Sequence, residues 1–142
     1  MSYSCFMSKT TSGMKTQVQR YLNHLIHNGA LEDLIGSNEA QDMGKIPFKV
    51  VMSGSMSESK VAHVYAMKLG EQCLSFTMVF NTKRVHEMTF AQVQDTVKHE
   101  LCHAVCQFLG VHDDNHHHND AFWDAMAGLG AMENRENTSS FN

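Results

Sequence analysis

His99 and His103 stand four residues apart, with Glu100 directly after the first, in a run from Val97 to Gly110 that reads VKHELCHAVCQFLG. On an α-helix, residues four apart share a face and lie about 6 Å apart along the axis. Two imidazoles so placed can grip one zinc ion, and the adjoining glutamate can reach a water held on that metal. The chemistry in prospect is hydrolysis by an activated water. It requires a third protein ligand and a fourth position left open. The long extension that would supply a third histidine from the same helix is missing, because Cys106 and Leu109 occupy the glycine and histidine positions of H-E-x-x-H-x-x-G-x-x-H. The third ligand is therefore expected from beyond the helix, where His112, His116, His117 and His118 follow. Spacing alone does not choose among them. The chain has ten histidines, and six of them fall between His99 and His118, a concentration that itself points to metal.

Other residues nearby have plainer readings. Cys102 and Cys106 also lie four apart, but free cysteine behaves as a small hydrophobe, and both are read as core. Cys102 is expected to point away from the face of His99 and His103. His116 and His117 read as a solvated polar loop, with alternate ligation or proton shuttling as the competing roles. His112, with Asp113 and Asp114, is in position to orient a ligand through hydrogen bonds, although an acidic loop accounts for the same residues. Trp123 reads as an anchor for a last helix. A non-catalytic alternative is a zinc-stabilised binding or adaptor module, whose metal would be closed by a fourth protein ligand such as Cys102 or Asp120. Metal storage by the histidine loop is a third reading, and it predicts several bound ions.

Positioning such a site takes a framework. Val18, Tyr21, Leu22, Leu25 and Ile26 recur at helical steps from Met14 to His27, and Asn28-Gly29 is a stop signal. A short helix follows at Leu31–Ile35, and residues 37–45 read as a loop. Pro47 opens a strand through Met52, Val61–Leu69 is a second, Gly70-Glu71 a hairpin turn, and Leu74 to Phe80 a third strand that alternates apolar and polar positions. Three consecutive strands suggest an antiparallel meander. Thr89 and Gln92 have the form of a capping box for the helix that carries the histidines, and Gly110 is its natural end. Residues 111–118 are a polar loop, and Asn119 is placed to cap a last helix with Phe122, Trp123, Met126 and Leu129. The expected class is α+β: an N-terminal helix, a three-stranded antiparallel sheet, the motif helix and a C-terminal helix. The expected organisation is one domain over residues 14–130, between a loose stretch at 1–13 and a polar tail at 131–142.

At 142 residues the chain is long enough for one buried core, and 42% hydrophobic with 18% charged residues is ordinary globular composition. The formal charge of −4 gives no overall basic balance for nucleic acid. From Lys45 to Arg84, however, six Lys or Arg face two Glu, a local surplus that allows a weak DNA contact. Four cysteines without a C-x-x-C pair, and an N-terminus without an apolar core, lead to the expectation of a reduced, intracellular, cytoplasmic protein with no membrane partner.

The run HELCHAVC, a loop, and then His118-Asn119-Asp120-Ala121-Phe122 with Met126 resembles the SprT-like zinc metalloprotease family, which includes the Spartan-type proteases. That family's first block, H-E-x-x-H-A, is met by His99, Glu100, His103 and Ala104. Its second, H-G-x-x-[FW], is met by His118 and Phe122, with Asn119 standing where the family has glycine. The resemblance implies a zincin-like minimal protease domain with one catalytic zinc ion on His99, His103 and His118. It implies that Glu100 is the general base of peptide hydrolysis, later returning the proton to the leaving amine. The implied substrate is a protein or peptide, in that family often a DNA-bound or DNA-crosslinked protein. Such proteases usually contact DNA through a zinc ribbon or basic segment. Here the contact is expected from the domain surface, at Lys83 and Arg84, or from a partner.

Overall fold

A computed structural model describes residues 6–131. In chain order the elements are α1 (Thr11–His27), α2 (Ala30–Ile35), α3 (Ser37–Gly44), β1 (Phe48–Ser53), β2 (Ala62–Leu69), β3 (Gln72–Asn81), α4 (Thr82–His86), α5 (Phe90–Leu109) and α6 (Asp120–Gly128). The class is α+β, as the alternation of periods in the sequence implies. Among the described residues no helix is long and apolar enough to cross a membrane.

α5 is the spine. Its capping box forms as the sequence implies: the Thr89 hydroxyl accepts from the Gln92 N–H, and the Gln92 amide oxygen accepts from the Thr89 N–H. Gly110 ends it in the left-handed conformation at φ 73°, which a side chain would strain. Val93, Val97, Leu101, Ala104 and Val105 are buried along it, and α1, α6, β2 and β3 pack around it. α1 contributes Met14, Val18, Leu22 and Leu25 to the same core, and the sheet contributes Val50, Val64, Phe76, Met78 and Phe80.

The sheet departs from the expected meander. Its strand order is β1-β3-β2, with β1 parallel and β2 antiparallel to β3. The hairpin at Gly70 (φ 63°) is as expected, but β3 inserts between the two earlier strands. β3 is the most deeply buried strand, with Phe76, Thr77, Met78 and Phe80 out of water, and the centre gives it hydrogen-bond partners on both sides. Residues 54–61 must then cross the end of β3. Buried Asn81 sits under the crossing: its amide donates to the Ser57 and Lys60 carbonyls at 3.1 and 2.9 Å, and its N–H donates to the Val61 carbonyl at 2.7 Å. Those bonds satisfy loop carbonyls that the sheet leaves without partners.

The helical part is richer than the sequence suggests. Residues 37–44, expected as loop, form α3, and α4 was not anticipated. α1 begins at Thr11, inside the stretch expected to be loose. Thr10 caps it, and the Gln17 amide ties down Ser8 N–H and the Phe6 carbonyl. The polar tail expected at 131–142 lies, from residue 132 on, outside the described residues.

Candidate metal centre

The middle of α5 buries its polar residues together with its apolar ones. His99, Glu100 and His103 are 1%, 0% and 4% exposed. Burying an imidazole or a carboxylate is costly unless something there satisfies it, so three such residues within five positions mark a site. The third histidine enters from the other side. The loop after Gly110 ends at Asn119, whose side chain accepts from the Phe122 N–H at 3.0 Å and so caps α6. That cap holds half-buried His118 at the entrance to α6, over α5.

The ligand-capable nitrogens of His99, His103 and His118 lie within 4.8 Å of one another, a group that can hold a metal ion. The ring centroids of His99 and His103 are 5.0 Å apart, and His118 is 5.1 Å from His99 and 5.2 Å from His103. Tetrahedral zinc is bound by neutral imidazoles. Three imidazoles are a known catalytic zinc donor set, and buried Glu100 adjoins the first of them. The donor set therefore fits zinc.

Phe122, fully buried, is the floor of the group. Its ring stacks on His103 at 4.4 Å and on His118 at 4.6 Å, and meets His99 edge-on at 5.0 Å. Trp123 closes edge-on against His118 at 5.7 Å and against Phe122 at 5.1 Å. Trp123 thus anchors α6 and also flanks a candidate ligand, a contact that sequence reasoning missed. The signal for Phe122 was its spacing, four residues after His118 on the helix that His118 introduces.

Asn119, where glycine was the pattern, needs no left-handed backbone. Its φ is −77°. Besides capping α6, it donates to the Val111 carbonyl at 3.0 Å and draws the two ends of the loop together.

Cys102 and Cys106 are buried in the apolar core as expected, and neither they nor Asp120 joins the converging donors among the described residues. Burial raises the Cys102 thiol well above its usual range, with nearby Cys106, Glu100 and Asp95 adding to the rise. Burial alone lifts Cys106 to about 11. Both stay protonated thiols at neutral pH and are poor metal ligands.

Of the other loop histidines, His116 and His117 are exposed, and neither lies in the first group. His112 is half-buried, with its Nε2 3.3 Å from Asp114 Oδ1. Burial first, and then His117, lower its pKa, against which Asp114 raises it; Lys68 lowers it further.

The flanks of the sheet differ. β1's outer edge is closed by the Gln19 amide of α1, which donates to the Phe48 carbonyl at 3.1 Å and accepts from the Val50 N–H at 2.8 Å. β2's outer edge has no main-chain partner among the described residues. Lys68, near its end, shares a cavity of about 430 Å³ with His112 and Asp114.

The SprT-like family model matches residues 37–140, which take in every element from α3 to α6. No curated protein and no solved structure matches the chain.

Proposed function

The chain belongs to the SprT-like family, and on that premise we propose that it is a zinc-dependent metalloendopeptidase. One observation carries the reading: three imidazoles converge from α5 and the entrance to α6, with a fully buried glutamate adjoining the first. His99, His103 and His118 would hold the ion. Zinc bound there would supply a Lewis acid for the scissile carbonyl and lower the pKa of a water toward ~7.

The chain's own residues do the rest. Glu100 accepts the proton of the attacking water and returns it to the leaving amine, as base and then acid. Its burial keeps bulk solvent from competing for that proton. Phe122 holds the His103 and His118 rings by stacking, so the ligands keep their orientation through turnover. The substrate is a protein or peptide in extended form. It adds to β2 by backbone pairing, since that edge is open while Gln19 closes the other. Exposed Tyr65, Met67 and Leu69 alternate along β2 and are available to its side chains.

A DNA-associated substrate is a narrower reading, supported by the exposed lysines between Lys45 and Lys83. A structural, closed zinc site is supported by none of the expected fourth ligands.

Glu100→Gln tests the proposal. The variant is expected to bind zinc at wild-type stoichiometry and to lose peptidase activity on an unfolded protein substrate by a factor on the order of 10²–10⁴. Wild-type activity in that variant would remove the proposed base. A wild-type protein that binds zinc but cleaves no unfolded substrate would leave the adaptor reading standing.

A further inference from the structure

A second set of donors converges outside the site just described. His112, Asp114 and His117 present ligand atoms within 4.8 Å of one another. The His112 and His117 rings are 5.0 Å apart. His112 Nε2 lies 3.3 Å from Asp114 Oδ1, and its Nδ1 is buried with no hydrogen-bond partner among the described residues. Two imidazoles and one carboxylate are a common donor set for a borderline divalent ion. Besides Asp114 of the cluster, the adjoining cavity carries one residue of each sign, Lys68 and Glu71, so no excess of positive charge bars a cation.

The placement of these residues gives the cluster a consequence. His112 begins the loop and His117 precedes His118, the half-buried histidine of the first group. The rings of His112 and His117 lie 6.4 and 6.3 Å from His103. Both ends of the loop are already tied, by the Val111 N–H to the Cys106 carbonyl at 2.9 Å and by Asn119 to Val111. Between those ties the Asn115 N–H donates to Asp113 Oδ1 and the His116 N–H to the Asp113 carbonyl, both bonds within the loop. An ion held by His112, Asp114 and His117 would bridge the start of the loop to the residue beside His118.

We propose that His112, Asp114 and His117 form a second site for a divalent ion of the zinc, nickel or copper type, and that its occupation fastens the loop presenting His118. The site is more exposed than the first and offers one carboxylate in place of a third imidazole, so it binds more weakly. The binding goes beyond the peptidase reading and does not need it. The fastening rests on His118 being a ligand of the first ion.

The test is calorimetric titration of the chelator-stripped full chain with Zn²⁺, alongside Co²⁺ titration followed by visible absorbance. Two classes of site are expected, the second weaker by roughly tenfold or more. His117→Ala and Asp114→Asn, both at exposed positions that the fold does not depend on, should each abolish the second and keep the first. His116→Ala, an exposed neighbour outside the cluster, should keep both. The double variant His99→Ala/His103→Ala should lose the first and keep the second, so failure here is separable from failure of the peptidase reading. At saturating Zn²⁺, the first ion should pass to a competing chelator several-fold faster from His117→Ala, which lacks the second site, than from wild type with both sites filled. A single class of site in the wild type, or a second class that survives both His117→Ala and Asp114→Asn, overturns the site. Equal release rates overturn the fastening.

Discussion

Phe122 meets all three candidate ligands with one ring, and this sets what its removal should do. Truncating a buried phenylalanine costs about 3–5 kcal/mol, a large share of the ~5–15 kcal/mol that holds a domain together. Phe122→Ala is therefore expected to unfold at much lower denaturant, whereas Phe122→Leu keeps most of the packing and loses the stacking. In Phe122→Leu, zinc affinity should fall by about 10–100-fold, the range for residues that orient metal ligands, with a smaller change in stability. Competition with a chromophoric chelator measures the first and urea unfolding the second; unchanged zinc affinity would reduce Phe122 to core filler. Cys106 leads to a prediction about pH. Its thiol rises from about 9 to about 11 on folding, so between those values the folded chain holds a proton that the unfolded chain releases. Stability should fall as pH climbs through that window, and Cys106→Ala should make that part of the curve shallower in urea midpoints taken from pH 8 to 11, while the raised Cys102 thiol keeps a slope of its own. Two of the three candidate ligands were legible because they share one helix face, where spacing is geometry. The third was not legible from spacing, since a loop histidine's direction depends on where the next helix starts. Asn119 settles that start, and only the two-block resemblance points to His118 from the sequence.

At the scale of elements, the decisive join is between the histidine loop and α6. Asn119 does two jobs there, capping α6 with its oxygen and reaching Val111 with its amide nitrogen. Asn119→Asp keeps the cap and loses the donor to Val111; Asn119→Gly gives up the Val111 bond and costs the cap only a few tenths of a kcal/mol; Asn119→Ala loses both, at about 1 kcal/mol for the cap alone. Thermal melts should rank Ala as the least stable, and zinc titration should show Asp weaker than wild type because the loop behind His118 is looser. Equal zinc affinity in all three would mean that the Val111 bond does not position the ligand. The long elements were readable from periodicity: α1, α5 with its capping box, and the hairpin. α3 was not, because SNEAQDMG buries only Met43 and reads as a polar loop; what holds it helical is contact with α2 and α1. The sheet order was missed because neighbours in sequence usually pair. Nothing local in residues 54–61 announces a crossing. The cue lies in a distant residue, the buried Asn81 that satisfies the loop's carbonyls.

Across the whole molecule, positive charge is spread rather than striped. Lys49 sits on β1 and Lys68 on β2, at opposite edges of the sheet. Two lysines have their main chains joined through Asn81, which bonds the Lys60 carbonyl and the Lys83 N–H at 2.9 and 3.2 Å. Arg84, expected with Lys83 as a DNA contact, donates one N–H to the Glu58 carbonyl at 2.7 Å and so also serves the crossing loop. Lys60 and Lys83, both exposed, are the pair we propose to meet a phosphate backbone together. Two phosphate contacts on single-stranded DNA give a log–log salt slope of roughly −1.4, the signature of weak binding. The expected result is single-stranded DNA binding that is measurable at low salt, largely lost near physiological salt, and removed by Lys60→Glu/Lys83→Glu. Since the basic corner and the histidine cluster belong to different elements with no shared side chain, DNA should leave cleavage of a free unfolded protein unchanged. It should speed cleavage only of a substrate carried on the same strand, by raising its local concentration. Fluorescence anisotropy across a salt series and peptidase assays on free and DNA-tethered substrate test both parts. Stimulation on free substrate would require a coupling that this fold does not display, and a DNA-tethered substrate cut no faster than the free one would dismiss the corner as a DNA contact.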